Sequence, residues 1–350
     1  MEHAPTPLVV QYLYVHEQGE AFRYPTARAD SSAARVAVRY LECALTQAAS
    51  LSLQEARCEL ALATNVSDRA VLGREGAELL DAIEALGVRI LPTEYRHRPR
   101  AGTEIYVSSR YVLDAILSST EGQTPEREIW LTDLDCVWPD PEPVFASAPA
   151  AEDVGCVFID YPPDWDTVGF EVHGRTRRAI GELAREMGES EEVPPWVGGE
   201  LLVGRPAALR ELVGVCEELD ARLASEGKTL PNEEQILSLA GALGRVRFED
   251  LSRVARRMTT GTRSQAARAA DPLAIGLWHL PAEKGLSLRR AAREVRSGRT
   301  ERLRRDLAEP ARAARRFNVE GTGLPRRLRD DGWIAAQRIR SAMRSALGSR

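Results

Sequence analysis

Two aspartates, Asp133 and Asp135, stand directly after a short apolar run at Ile129 to Leu131. The run is typical of a buried strand, and carboxylates separated by one residue in an extended segment point the same way, so both can reach one cation. Carboxylate oxygens are preferred ligands of Mg²⁺ and Mn²⁺, which usually also bind substrate phosphates. An isolated Asp-x-Asp is also common in surface turns. The preceding strand and the following Pro139-Asp140-Pro141 favour the metal interpretation.

Three glutamates form a second group of candidate residues. Gly198-Gly199 precedes an apolar strand, where glycines let backbone approach a ligand closely, and Glu200 would face the same cleft. The alternative is a glycine bulge with Glu200 exposed. Asn232 is expected to cap a helix whose first turn contains Glu233 and Glu234. Acidic residues in a first turn are also common partners of the helix dipole.

Three basic residues could complete a site for a phosphorylated ligand. His279 lies beside Trp278 and five residues before Lys284, and is better placed as a ligand than the other four histidines. Arg110 lies in a helix immediately before the aspartate strand. Its side chain could reach toward phosphates, or it could be an ordinary solvated helix residue.

Alternating strand and helix patterns must position these residues. Strands are predicted at Pro7 to Val15, Arg57 to Ala63, Val88 to Leu91 and Val154 to Ile159; helices are predicted at Ala33 to Ser50, Glu75 to Leu86, Ser109 to Leu117 and Thr176 to Met187. This alternation indicates an α/β fold with a mainly parallel sheet. Such sheets bind ligands at the carboxyl ends of their strands, where Tyr14, Asn65 and Asp133 would lie.

Composition predicts a globular, cytoplasmic protein. The 350 residues are 43% hydrophobic and 28% charged, which is ordinary globular composition. No apolar run approaches the roughly 20 residues of a membrane span, and the N-terminal residues lack the pattern of a signal peptide. Five scattered cysteines without Cys-x-x-Cys spacing predict free thiols. Abundant Ala, Arg and Gly suggest a GC-rich bacterial source.

The C-terminal residues 286–350 differ in charge from the rest of the chain. They contain 18 Arg and 7 acidic residues, a net charge of +11, so that the overall charge of −5 leaves −16 for residues 1–285. We therefore predict a catalytic domain over 1–285 and an Arg-rich helical extension over 286–350, with helices at Leu288 to Asp306 and Trp333 to Leu347. Such helices could attract nucleic acid, an anionic membrane or an acidic acceptor. The favoured interpretation is packing on the acidic part or a homodimer contact, with nucleic-acid binding not expected.

Known motifs narrow the enzyme class. The chain has no P-loop, GxGxxG or GxSxG, so the ATPase, dinucleotide dehydrogenase and serine hydrolase classes lack their usual support. Haloacid-dehalogenase-like phosphatases use a similar Asp-x-Asp with its first Asp as nucleophile, but at the end of their first strand. Here about 130 residues precede Asp133. A phosphatase also needs a further acidic pair, and Asp330-Asp331 lies in the Arg-rich segment.

Together these segments resemble the retaining GT-A glycosyltransferases, namely the glycogenin and lipopolysaccharide galactosyltransferase group, with some similarity to the blood-group transferases. LTDLDCVWPDP (Leu131 to Pro141) is similar to the family pattern FLDADVLVLRDP, and WHLPAEKG (Trp278 to Gly285) is similar to a segment that ends in HxxGxK. The order and spacing of the segments agree over Pro7 to Gly285. The chain departs from the pattern in lacking an Asn before Gly198-Gly199 and the glycine of HxxGxK.

The resemblance implies a Rossmann-like mixed sheet and transfer of a hexosyl group from a nucleoside diphosphate sugar, such as a UDP-sugar, to a small-molecule or glycan acceptor. It implies that Asp133, Asp135 and His279 bind Mn²⁺ (or Mg²⁺) and that Lys284 contacts the diphosphate. Gly198, Gly199 and Glu200 would border the sugar, and Arg110 would contact the donor. Glu234 is our candidate for the carboxylate beside the anomeric carbon, with Glu233 and Glu200 as alternatives. The phosphatase with Asp133 as nucleophile is the second hypothesis.

Overall fold

The structure is a computed structural model that describes residues 5–17, 33–99, 108–161, 163, 176–188, 193–258 and 272–319. Three features of the sequence lie wholly or mostly outside these residues. They are the connection from Tyr161 to His173, the Asp330-Asp331 pair and the helix predicted at Trp333 to Leu347.

Ten strands occur in the described residues, and they form two sheets. In chain order they are β1 (Leu8–Leu13), β2 (Glu59–Thr64), β3 (Arg89–Pro92), β4 (Ile129–Thr132), β5 (Cys136–Val137), β6 (Val154–Ile159), β7 (Trp196–Gly204), β8 (Phe248–Asp250), β9 (Ala255–Arg257) and β10 (Leu277–His279). The larger sheet has seven strands in the order β3-β2-β1-β4-β7-β6-β8. Only β7 runs antiparallel to its neighbours among these strands. The predicted mixed, mainly parallel sheet is confirmed.

Ten α-helices flank the sheets in the described part of the chain. They are α1 (Ala33–Ser52), α2 (Gly73–Ala85), α3 (Tyr111–Thr120), α4 (Pro141–Phe145), α5 (Arg177–Glu186), α6 (Pro206–Ser225), α7 (Glu233–Ala242), α8 (Ser287–Arg296), α9 (Glu301–Leu307) and α10 (Pro310–Arg316). The Asn232 side chain accepts the backbone N–H of Gln235 at 3.0 Å, and so caps α7 as predicted. None of the described helices has both the length and the apolar character that a membrane span requires.

Helices cover both faces of the large sheet. Along β2, Ala61 and Ala63 belong to the apolar cluster that contains Ile116 of α3, whereas the intervening Leu62 belongs to the cluster of α1 and α2. Successive side chains of a strand point to opposite faces, so a strand covered on both sides must be apolar at nearly every position. The continuous apolar character of β1, β2 and β4 follows from this arrangement.

The smaller sheet consists of three short strands in the order β5-β10-β9. β10 pairs antiparallel with β5, so that His279 lies opposite Cys136, and it pairs parallel with β9, so that His279 lies opposite Arg257. The backbone N–H of Leu280 also donates to the carbonyl of Asp135 at 2.8 Å. This pairing places His279, which comes late in the chain, next to the residues that follow β4.

The first part of the C-terminal extension packs on α1. Leu288 of α8 is fully buried in the apolar cluster of α1 and α2, and the Thr46 hydroxyl donates to its carbonyl at 2.9 Å. Arg289 Nε lies 3.1 Å from Glu42, and Arg296 pairs with Glu78 at 2.8 Å. For residues 286–319 the favoured interpretation, packing on the acidic part, agrees with the structure. The division into domains at residue 285 stays a prediction.

The helix predicted at Leu288 to Asp306 is two helices. α8 ends at Arg296, and Gly298 follows with a φ of 69° before α9 begins at Glu301. Glycine adopts this left-handed conformation without the steric cost that other residues meet, so the chain can turn there. The expectation of a single helix was wrong: residues 296–302 contain no apolar side chain, so no apolar face continues across this glycine.

Candidate active site

Two carboxylates and one imidazole converge at the end of β4. His279 Nε2 lies 3.3 Å from Asp133 Oδ2 and 3.3 Å from Asp135 Oδ2, and one ligand atom of each residue lies within 4.8 Å of the other two. Backbone pairing fixes this arrangement, because Asp133 N–H donates to the carbonyl of Glu200 at 3.1 Å and His279 is paired with Cys136. The structure therefore brings together the three predicted metal ligands, although His279 lies about 145 residues after the two aspartates in the chain.

The donor atoms of this group fit a divalent cation. Two carboxylates and one imidazole are a mixed oxygen and nitrogen set of the kind that Mn²⁺ accepts. Asp135 is almost completely buried, and its Oδ2 makes no well-formed hydrogen bond within the described residues although Lys284 Nζ lies 3.1 Å away. The groups that face this oxygen, Lys284 and the His279 imidazole, are themselves cationic or able to bind a metal, so the oxygen beside a second carboxylate is suited to binding a cation. These residues would hold the metal that the family resemblance implies.

The charges of the group are strongly perturbed. Burial opposes ionisation of Asp135, but Lys284 and His279 outweigh it and lower the pKa of Asp135. Burial raises the pKa of Asp133 despite the nearby imidazole. Burial disfavours the charged imidazole, yet the surrounding carboxylates raise the pKa of His279 to about 9. A cluster of mutually dependent, buried titratable groups is typical of a functional site.

Lys284 adds a fixed positive charge next to the aspartates. Its Nζ lies 3.1 Å from Asp135 Oδ2 and 4.9 Å from the centroid of the Tyr40 ring. Burial disfavours the ammonium, but Asp135 outweighs it and raises the pKa of Lys284 well above its ordinary value. The predicted diphosphate contact would therefore come from a fully protonated amine.

Tyr12 is a site residue that sequence reasoning missed. Its hydroxyl donates to Asp133 Oδ1 at 2.5 Å and lies 3.2 Å from the carbonyl of Gly199. Burial raises the pKa of Tyr12 well above its ordinary value, so the hydroxyl stays a donor. Tyr14 was predicted as a site residue. Residues two apart in an extended segment point to the same face, so this alternation could have identified Tyr12 as a second tyrosine on the face of Tyr14.

Glu234 is held at both of its carboxylate oxygens. Trp196 Nε1 donates to Oε2 at 2.8 Å, and the guanidinium of Arg257 donates to Oε1. Arg257 also bonds Glu200 and donates to the Tyr161 hydroxyl at 2.8 Å. Arg257 was missed because nothing in its sequence surroundings distinguishes it from the many other arginines of the chain.

Glu233 differs from its neighbour in having an unsatisfied carboxyl oxygen. Its Oε2 has no hydrogen-bond partner among the described residues. Burial, followed by the charge of Glu234, raises the pKa of Glu233 to about 8. A cavity-lining carboxyl that is protonated at neutral pH can donate a hydrogen bond to a ligand hydroxyl.

The glycine pair makes room for carboxyl groups of the protein itself. A Cβ on Gly198 would lie 2.2 Å from Glu200 Oε2, and a Cβ on Gly199 would lie 2.6 Å from Glu233 Oε1. Neither glycine is among the described residues that line the cavity. The described geometry thus gives a reason for Gly198-Gly199 other than the predicted close approach of backbone to a ligand. Of the alternative, the exposed glutamate was wrong because Glu200 is 2% exposed, whereas the pairing of β6 with β7 does shift register at these residues.

Arg110 and Asn65 have structural contacts in this arrangement. The Arg110 side chain is 3% exposed; it pairs with Asp220 and donates to the carbonyl of Leu230 at 2.7 Å. The alternative of a solvated helix residue was therefore wrong. Asn65 bonds both the N–H and the carbonyl of Val15, at 2.8 and 2.9 Å, and so fixes the segment after β1. Neither side chain lines the cavity as described, and the predicted donor contacts of both stay predictions.

A cavity of about 250 Å³ joins these groups. Its described lining residues are Tyr12, Leu13, Tyr14, Tyr40, Ser108, Ser109, Asp133, Leu134, Asp135, Tyr161, Asn232, Glu233, Glu234, Arg257, His279, Pro281 and Lys284. It contains the metal-ligand candidates at one side and the two glutamates of α7 at another. The arrangement can hold a cation, an anionic group bound to that cation, and a polar ligand beside the glutamates.

Solved glycosyltransferases share the fold. An active-site mutant of LgtC is similar over 83% of this chain and 95% of its own, with a TM-score of 0.50 and 10% identity. The apo structure of the bifunctional glycosyltransferase WbbM is similar over 87% of this chain and 52% of its own, with a TM-score of 0.50 and 11% identity. Galactosyltransferase LgtC in complex with donor and acceptor sugar analogues gives a TM-score of 0.47 at 11% identity, over 83% of this chain and 95% of its own. No family model and no curated protein sequence matches the chain. The chain has the GT-A-type fold, and that prediction is confirmed.

Proposed function

We propose that this protein is a metal-dependent glycosyltransferase that moves a sugar from a nucleoside diphosphate sugar to a small-molecule or glycan acceptor, with retention at the anomeric carbon. One observation carries the proposal: Asp133, Asp135, His279 and Lys284 meet in one cavity of a GT-A-type fold. The bifunctional glycosyltransferase WbbM shares this fold with a TM-score of 0.50.

A bound Mn²⁺ or Mg²⁺ would act as a Lewis acid that stabilises negative charge on the diphosphate as it leaves. Asp133 and Asp135 anchor that side of the cavity, and Tyr12 fixes the orientation of Asp133 through its 2.5 Å hydrogen bond. Lys284 supplies a second positive charge for the diphosphate. Preorganised charges of this kind are effective because they need no reorientation during the reaction.

Glu234 is proposed to stabilise positive charge that develops at the anomeric carbon. Both of its oxygens accept hydrogen bonds, from Trp196 and Arg257, so its carboxylate is fixed in place. A carboxylate engaged in this way is better suited to electrostatic stabilisation than to forming a covalent bond as a nucleophile. Glu233 is proposed to bind a sugar hydroxyl through its unsatisfied oxygen. Glu200 faces His279 and does not line the described cavity.

The test is release of nucleoside diphosphate from a panel of nucleotide sugars, UDP-sugars first, with Mn²⁺, with Mg²⁺ and with EDTA. Asp135→Asn should lower metal-dependent turnover at least about 100-fold, because one ligand of the cation is lost. Asp140→Asn is the matched control, since Asp140 is an exposed acid of the same segment, and it should keep normal turnover. The anomeric configuration of the product, read by NMR, tests retention.

Full activity in EDTA would contradict the proposal, and so would normal turnover by Asp135→Asn. Hydrolysis of p-nitrophenyl phosphate without any nucleotide-sugar turnover would favour the phosphatase hypothesis. No feature of the described structure favours that hypothesis, because Asp133 follows the fourth strand in chain order.

A further inference from the structure

Arg257 occupies a central position between two buried carboxylates. Its Nη2 donates to Glu200 Oε2 at 2.7 Å and its Nε donates to Glu200 Oε1 at 3.2 Å, which is a bidentate pair. The same guanidinium bonds Glu234. The side chains of Glu200 and Glu234 are only 2% and 14% exposed, so water screens their charges little. Arg257 compensates both charges, because its guanidinium is paired directly with each carboxylate.

Glu200 in turn lies on the far side of the imidazole from the aspartates. Its Oε1 is 3.8 Å from His279 Nδ1, whereas His279 Nε2 faces Asp133 and Asp135. Its backbone carbonyl also accepts the N–H of Asp133. Glu200 therefore contacts two elements of the proposed metal site, one through its side chain and one through its backbone.

The register of the small sheet places Arg257 directly opposite His279 on the neighbouring strand. A metal-binding histidine commonly directs its second ring nitrogen toward a carboxylate, which fixes the tautomer and the ring orientation. In this chain the carboxylate that could do so, Glu200, is itself fixed by the two-pronged contact from Arg257. Arg257 thus fixes a carboxylate that lies 3.8 Å from His279 Nδ1, which is within ion-pair range, although the described residues give this nitrogen no hydrogen bond.

We propose that Arg257 is a positioning residue for the metal site. Arg257 holds the Glu200 carboxylate on the Nδ1 side of His279, so that Nε2 of the imidazole faces the cation. This inference rests on the metal site of the proposed function, and it concerns binding of the cation alone, without donor or acceptor. It assigns Glu200, which the sequence suggested as a catalytic carboxylate, to the support of a metal ligand.

The experiment measures Mn²⁺ affinity by isothermal titration calorimetry on the full chain without any sugar nucleotide. Arg257→Met and Glu200→Gln should each weaken Mn²⁺ binding by about 10- to 100-fold, the usual effect of losing a residue that orients a metal ligand. Arg257→Lys should weaken it less, since Lys keeps the charge but lacks the planar fork. The double variant Arg257→Met with Glu200→Gln removes the charge of Glu200 together with that of Arg257, and Glu234 keeps its hydrogen bond from Trp196. This variant should fold while binding Mn²⁺ as weakly as the single variants.

Arg316 provides a matched control. It is also a buried arginine between two carboxylates, with contacts of 2.6 Å to Glu294 and 2.7 Å to Asp306, but it lies in the C-terminal helices and does not line the described cavity. Arg316→Met should lower the melting temperature and leave Mn²⁺ affinity unchanged. That result separates positioning of the metal site from a general contribution to stability.

The outcomes distinguish this inference from the proposed function. The metal site stands if wild type binds Mn²⁺ and Asp135→Asn does not. In that case the inference fails if folded Arg257→Met, or the double variant, binds Mn²⁺ within about twofold of the wild-type affinity. If Asp135→Asn binds Mn²⁺ as tightly as wild type, the metal site fails and the inference fails with it. Weak Mn²⁺ binding by Glu200→Gln and the double variant supports the inference even if Arg257→Met alone does not fold.

Discussion

Replacement of Gly199 by Ala tests the packing between β7 and α7. A Cβ at this position would lie 2.6 Å from Glu233 Oε1, 2.9 Å from its Cγ and 3.2 Å from its Cδ. Gly199 is buried in a central strand, so the new methyl group cannot move toward solvent. The Glu233 side chain must be displaced instead.

The size of the effect follows from the overlap. An ordinary contact begins near 3.4 Å, so the carboxyl oxygen must move by about 0.8 Å, and overpacking of this kind typically costs about 1–3 kcal/mol of unfolding free energy. With an unfolding entropy of about 2.1 cal/mol/K per residue, each kcal/mol corresponds to roughly 1.4 °C in a chain of 350 residues. We expect Gly199→Ala to lower the melting temperature by about 1.5–4 °C.

Calorimetry or circular dichroism would measure the shift, with two comparisons. Gly214→Ala in α6 is the matched control, because apart from its chain neighbours and the backbone of its own helix no described atom lies within 4 Å of the added Cβ. A helix interior favours Ala over Gly by up to about 1 kcal/mol, so this variant should be unchanged or more stable. In a Glu233→Ala background the overlap is absent, and the added Gly199→Ala should then cost less than about 0.5 kcal/mol.

Two results would refute this reasoning. One is an unchanged melting temperature for Gly199→Ala. The other is a loss that persists in full in the Glu233→Ala background, because the collision partner would then be some other group.

Two further predictions concern residues remote from the glycine pair. Arg110→Met should lower the unfolding free energy by about 2 kcal/mol, because the charged hydrogen bonds of Arg110 with Asp220 are lost. The variant should leave the KM for the donor unchanged. A raised donor KM with normal stability would instead support the predicted donor contact. Burial lowers the pKa of His97, but the carboxylates of Asp114 and Glu217, at 2.7 and 2.9 Å, outweigh burial and raise this pKa above 6.5. The contacts of the protonated imidazole therefore contribute their full stability below about pH 6.5, and this stability is lost as the pH rises through the folded-state pKa. In urea unfolding, the stability advantage of wild type over His97→Gln should shrink from pH 5.5 to pH 9, and an advantage that grows would contradict the prediction.

Much of the local structure could be predicted from the sequence. The apolar run Ile129 to Leu131 is a buried strand, Asn232 caps α7, and alternating strands and helices form a mainly parallel sheet. These features depend on side chains within a few residues of each other, so their signals are contained in short windows. The break after α8 was missed although it has a local signal, namely Gly298 within seven residues, 296–302, that include no apolar side chain.

The sequence by itself determined which residue types stand at the ends of strands and helices, and hence that Asp133 and Asp135 could share a cation. Tertiary structure decided what they meet: the β5-β10-β9 register brings His279 to them, and Arg257 between Glu200 and Glu234 follows from the same pairing. It also decided that the space beside Gly199 is filled by Glu233. The physical reason is that strand pairing and helix packing join segments far apart in the chain, and local periodicity does not encode which segments will be neighbours.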